Sequence, residues 1–132
     1  MQAEMLELSK YRMAKAKECL ADAQDAFEES RLANSINRSY YAMFHATRAL
    51  LAIDSFDSKK HSSIIGYFNQ YYIANSKIDT SYYQMIANAF RIRNKTDYDD
   101  FHIVSKDEAQ RQLENAQTFT QFMDVYISEV VL

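Results

Sequence analysis

The chain has 132 residues, enough for one domain with a real core and too few for two. Its formal charge of −3 gives no broad attraction for nucleic acid, so any RNA contact has to come from a local cluster. The lack of proline and the single glycine, Gly66, argue against a sheet protein of tight turns and for long helices joined by short polar connections.

A first helix is predicted from about Gln2 to Ser30, with Met5, Leu8, Arg12, Ala16, Cys19, Leu20, Ala23 and Phe27 on one face. Cys19, the only cysteine, falls in that buried set; it leaves no internal disulfide and suits a reducing cytoplasm. Arg31 to Asn34 forms a polar connection, and Ser35 is a good N-cap for a second helix running to about Ile53. Both faces of that helix look occupied. Ile36, Tyr40, Met43, Phe44, Thr47 and Leu51 make a core stripe, while Arg38, Tyr41, Ala42, His45, Ala49 and Ala52 line the other side, with Arg48 at its edge. A helix apolar on nearly all sides is buried on all sides, and in so small a bundle the second face predicts a partner subunit, hence a homodimer.

Asp54 to Lys60 is the longest polar connection, and a shorter third helix follows near His61 to Ile73. The fourth begins after an Asp79 cap and runs into the Asp97 region. Ser105-Lys106-Asp107-Glu108 is a capping box that starts the fifth, with Ala109, Leu113, Ala116, Thr120, Met123, Ile127 and Val130 as its seam. The expected architecture is all-α, an antiparallel up-and-down bundle of four to five helices, as a single domain over residues 1–132. No apolar run is long enough to cross a bilayer, because His45 and Arg48 interrupt the longest one, and no secretory signal precedes it.

Arg93 is the residue that breaks the pattern. Tyr82, Met85, Ile86 and Ala89 form an apolar stripe whose next member is Arg93, whereas Arg91 falls on the opposite, solvated face. A guanidinium aimed at a core is costly unless it is paired or lines a cleft. Asp97, one turn on, is its nearest partner. The pair reads either as a structural tie at a helix end or as an anion-binding site.

Other ligand-capable side chains are weighed against plainer uses. Asp97, Asp99, Asp100 and His102 form a dense cluster, but no spacing matches a defined metal motif, and no metal is expected. His45 reads as a hydrogen-bonded interface histidine more readily than as a general base. His61 reads as part of a solvated Lys-Lys-His start more readily than as a phosphate ligand. The pairs Tyr40-Tyr41, Tyr71-Tyr72 and Tyr82-Tyr83 each send one ring inward and one to a boundary. Triad, P-loop and dinucleotide signatures are absent, so no cofactor is expected.

Asn37-Arg38-Ser39-Tyr40-Tyr41-Ala42-Met43-Phe44-His45-Ala46-Thr47-Arg48-Ala49-Leu50-Leu51 and Arg91-Ile92-Arg93-Asn94-Lys95-Thr96-Asp97-Tyr98 together resemble the HEPN superfamily, in its small stand-alone prokaryotic branch. Lys60-His61-Ser62 is similar to the family's middle segment. The resemblance implies a helical bundle, usually a homodimer, with a cleft between subunits lined by the fourth-helix arginine. It also implies a minimal nucleotidyltransferase as partner, in modules of toxin–antitoxin or defence type. Active members are metal-independent endoribonucleases whose motif is an arginine, four to six residues, then a histidine.

This chain departs from that motif. After Arg93, the positions following four, five and six residues are Tyr98, Asp99 and Asp100, and His102 comes only after eight. The position matching the family's modified tyrosine is Asp100. Arg93 therefore carries over, while the histidine and the modification site do not. Three readings follow. The first is a subunit with little or no catalysis that binds a nucleotide or RNA phosphate through Arg93, with Asp97, Tyr98, Arg38, Tyr41 and His45 around it. The second is a ribonuclease in which Arg93 acts with a displaced histidine, His102 or His45. The third is a structural dimerisation module.

Overall fold

Apolar residues at three- and four-residue intervals, with no proline to interrupt them, wind the chain into five helices. The computed structural model describes residues 3–131, so the expected start at Gln2 lies outside the described residues. The helices are α1 (Ala3–Glu28), α2 (Leu32–Ile53), α3 (His61–Phe68), α4 (Thr80–Tyr98) and α5 (Lys106–Val131). No strand occurs among the described residues, and the all-α bundle is as the sequence predicts. The third helix reaches Ile73 as expected, but its last part, Asn69–Ile73, is a π-helical turn.

α2 is the central helix and touches each of the other four. Of its 22 residues, 14 are buried within this one chain. Ala42, Ala46 and Ala49 are fully enclosed. The alanines of the face assigned from sequence to a partner subunit are therefore covered internally, by α1, while Arg38, Tyr41, His45 and Arg48 of that face stay half-buried. Small side chains let the two backbones approach, and two bonds fix the antiparallel register: Ser9 Oγ donates to Ala49 O at 2.7 Å, and Ser35 Oγ to Ala23 O at 2.9 Å. That register sets Ala16 of α1 opposite Ala42 of α2.

The same packing corrects two expectations. The buried stripe of α1 is Ser9, Arg12, Met13, Ala16, Cys19, Ala23 and Ala26, while Leu8 is 41 % exposed. Close approach of α2 selects the small residues over the larger Leu8. Ser35 is not an N-cap: Ser30 takes a left-handed φ of 60°, Arg31 N–H closes on Ala26 O, and α2 starts three residues earlier. At the other end, Asp57 accepts from Arg12 and Arg48 at 3.1 and 3.0 Å, which ties the α2–α3 connection to α1.

The Asp79 cap and the serine half of the expected capping box hold, while the Glu108 carboxylate pairs with His102. Asp79 Oδ2 accepts from Ser81 N–H at 3.0 Å, and Ser105 Oγ accepts from Glu108 N–H at 3.0 Å. Replacing Ser105 with Ala leaves that amide without its acceptor, and the expected loss is about 1 kcal/mol in urea unfolding. The α5 seam is buried from Ala109 to Met123 and then runs out, with Val130 45 % exposed. No helix among the described residues is long and apolar enough to cross a membrane.

Candidate functional site

Arg93 lies near the end of α4, on the stripe that α4 turns toward α2, and it is 7 % exposed. Its guanidinium lies over the rings of Tyr40 and Tyr41, 4.9 and 5.3 Å from their centroids, and 6.0 Å from that of Phe90. Aromatic faces are negative at their centres, so this cage favours the cation that burial disfavours. Asp97 sits one turn on, Oδ2 to Nη1 3.6 Å, a loose ion pair. Nη2 lies 3.3 Å from Nδ1 of His61, while Nε is enclosed and has no hydrogen-bond partner. Among the described residues the guanidinium thus has one hydrogen bond, to His61, and one loose ion pair, to Asp97.

His61 reaches this position because it is the first residue of α3, beyond the tied 54–60 connection. Its ring stacks on Phe44 at 4.1 Å, and its Nδ1 is 2.7 Å from the Tyr40 hydroxyl. The reading of His61 as a solvated helix start is therefore overturned. Burial, then Arg93 and Arg48, hold its pKa below the usual imidazole value. Burial raises the Tyr40 phenol, against the pull of Arg93, so both groups are neutral at ordinary pH.

A polar chain continues from the pair to the surface. Asn37 Nδ2 donates to Asp97 Oδ2 at 3.1 Å, and Arg38 donates to Asn37 Oδ1 through Nε and Nη2 at 3.0 and 2.7 Å. Arg38 also covers the Tyr41 ring at 5.0 Å. Beside Asn37 and Arg38 opens a cleft of about 490 Å³, whose walls include Asp22, Asp25 and Glu29. Arg31 and Arg38 line it too, so the cleft is mixed in charge.

The structure thus brings Arg93, Asp97, Arg38 and Tyr41 into one cluster and adds Asn37, Tyr40 and His61, which were not assigned from sequence. His45 packs against Tyr41 and Phe44, but its Nδ1 is enclosed without a partner. Burial, then Arg48, Lys15, Arg38 and Arg12, push its pKa down to about 4. Between about pH 4 and 6.5 the unfolded chain binds the proton that the folded chain refuses, so stability rises with pH there. Unfolding free energy is expected to fall by about 1–2 kcal/mol from pH 7 to pH 4, less than the full shift because solvent screens the half-buried ring, and His45→Gln flattens that slope.

His102 turns elsewhere. Its Nε2 is 3.2 Å from Glu108 Oε1, and it shares no hydrogen bond or ring contact with Arg93 among the described residues. Tyr98, the last residue of α4, is 76 % exposed. Among the described residues no three His, Cys, Asp or Glu side chains group in a way that could hold a metal ion.

The sequence model of the HEPN domain matches residues 9–126, which include every residue of this cluster. "Putative toxin MJ0605" of Methanocaldococcus jannaschii is 28 % identical over 116 residues, covering 88 % of this chain and 86 % of that protein. A UPF0332 protein of Archaeoglobus fulgidus is 33 % identical over 114 residues, 83 % of this chain and 87 % of its own length. Another from Thermotoga maritima is 26 % identical over 120 residues, 91 % of each.

Proposed function

This chain belongs to the HEPN domain family, and on that premise we propose that it is a binding subunit which takes a phosphate group of a nucleotide or RNA at Arg93. One observation carries the reading: a buried guanidinium in an aromatic cage has, among the described residues, an unpartnered Nε, one hydrogen bond at Nη2 and only a loose ion pair at Nη1. A structural arginine buried this deeply normally has its donors filled, because an unsatisfied buried donor is costly. An anion with several oxygens is the partner that would fill them. Asp97 yields easily, since at 3.6 Å it holds Nη1 only loosely.

The ribonuclease reading through His102 or His45 is the weaker one. His102 is engaged with Glu108, and His45 is kept neutral with one nitrogen enclosed. A homodimer and a nucleotidyltransferase partner belong to the proposal through the family, not through the alanines of α2, which α1 already covers. What supports a second copy is the exposure of Tyr98, Phe101 and Ile103, at 76, 93 and 89 %, next to Asp97 in sequence. Two relatives are named putative toxins, which supports a toxin-type role for this chain within the proposal.

Titration calorimetry with ATP, AMP and a short RNA tests the reading. Heat that vanishes in an Arg93 variant supports it. Silence from all three ligands leaves the structural module. RNA cleavage without metal that depends on Arg93 would move the chain to the ribonuclease reading.

A further inference from the structure

Resting on that reading, we infer that His61 is the second phosphate-contacting side chain of the Arg93 site, donating a hydrogen bond through Nε2. The argument begins with the arginine. A guanidinium only donates, so the nitrogen 3.3 Å from its Nη2, Nδ1 of His61, presents a lone pair. The Tyr40 hydroxyl, 2.7 Å from the same Nδ1, shares that single lone pair as the closer donor. A neutral imidazole carries one N–H, and with Nδ1 accepting, that hydrogen sits on Nε2.

Nε2 is where the chain leaves a donor free. It has no partner among the described residues, and it is not enclosed in the way that His45 Nδ1 and Arg93 Nε are. Stacking on Phe44 at 4.1 Å and 21°, and more distantly on Tyr40 at 5.8 Å and 21°, fixes the plane of the ring. The donor is therefore held in direction before any ligand arrives, which lowers the ordering cost of binding. No side chain caps α3, so the positive end of that helix, at His61 itself, adds to the same attraction.

The charged and titratable groups facing His61 are Arg93 from α4 and Tyr40, Tyr41 and Arg48 from α2; no carboxylate is among them. Nothing there favours a second proton on the ring. His61 thus serves as a neutral donor, while Arg93 supplies the charge. A site built this way holds its affinity across neutral pH, whereas one built on imidazolium loses affinity as pH rises.

The test uses a ribodinucleotide, whose single phosphodiester keeps one negative charge throughout. Nitrogen-15 spectra of the free protein are expected to show His61 as the Nε2–H tautomer, and its signals should move on titration. Affinity is expected to stay level from about pH 6 to 8. His61→Gln, which keeps an N–H near the Nε2 position, should bind within about threefold of the unsubstituted protein, and His61→Asn, whose amide stops near Nδ1, about tenfold or more weaker. The inference is overturned by His61 signals that stay still while Arg93→Leu abolishes binding, by the Nδ1–H tautomer, or by affinity that climbs as pH falls and ceases to climb in His61→Gln. If the dinucleotide does not bind, or binds Arg93→Leu equally well, the proposed function fails first. The spectra are read on the unsubstituted protein, so they decide the matter even if His61→Asn folds poorly.

Discussion

Arg93→Leu is expected to weaken phosphate binding about 100-fold or more while leaving folding stability within about 1 kcal/mol of the parent, or above it. The two halves of that result have separate causes. Binding falls because charge-assisted donors to an anion contribute about 1.5–3 kcal/mol each, and leucine offers none. Stability holds because an apolar side chain of similar volume fits against Tyr40, Tyr41 and Phe90 without the desolvation that a guanidinium suffers. Asp97 is not stranded, since Asn37 still donates to it. Calorimetry with AMP and urea unfolding on the same preparation measure both. Loss of stability with binding intact would make Arg93 a structural residue.

Ala16→Leu carries the other large effect, on the fold. Ala16 is fully enclosed between the two serine bonds that join α1 to α2. Three extra carbons there have to push the helices apart or force strained rotamers, at a cost of about 3 kcal/mol. The Ser9–Ala49 and Ser35–Ala23 bonds cross the same seam and would lengthen with it. Because the seam lies within one chain, the loss should be independent of protein concentration in urea unfolding. A loss that shrinks as concentration rises would mean that a second copy shares this face.

Much of this molecule could be read from local pattern. Helical phase placed Arg93 in the interior and Arg91 outside, because 3.6-residue periodicity needs only neighbours in sequence. The Asp79 and Ser105 caps were equally legible, since each acts within three residues. What pattern could not say was which element covers a buried face. The alanine side of α2 was read as a subunit contact, and α1 occupies it. Ser35 has the chemistry of a cap, but its hydroxyl is used by Ala23, twelve residues away. His61 was missed for the same reason: Arg93 is 32 residues distant, and only the path of the chain brings them together. Two hints were present, the place of His61 at a helix start, where a phosphate ligand was weighed, and the likeness of Lys60-His61-Ser62 to the family's middle segment, although the residues alone favoured a solvated start.

The anchoring of Asp57 has a reach beyond its own neighbourhood. The imidazole arrives beside the guanidinium only after a loop has travelled from one helix to the next, and that loop is pinned midway by two arginines, one of them on α1. Altering Arg12 touches nothing in the aromatic cage, yet it removes one of the two ties on the connection from which His61 hangs. Variation on the outer helix can thus retune the site remotely, through the slack it allows in a short crossing.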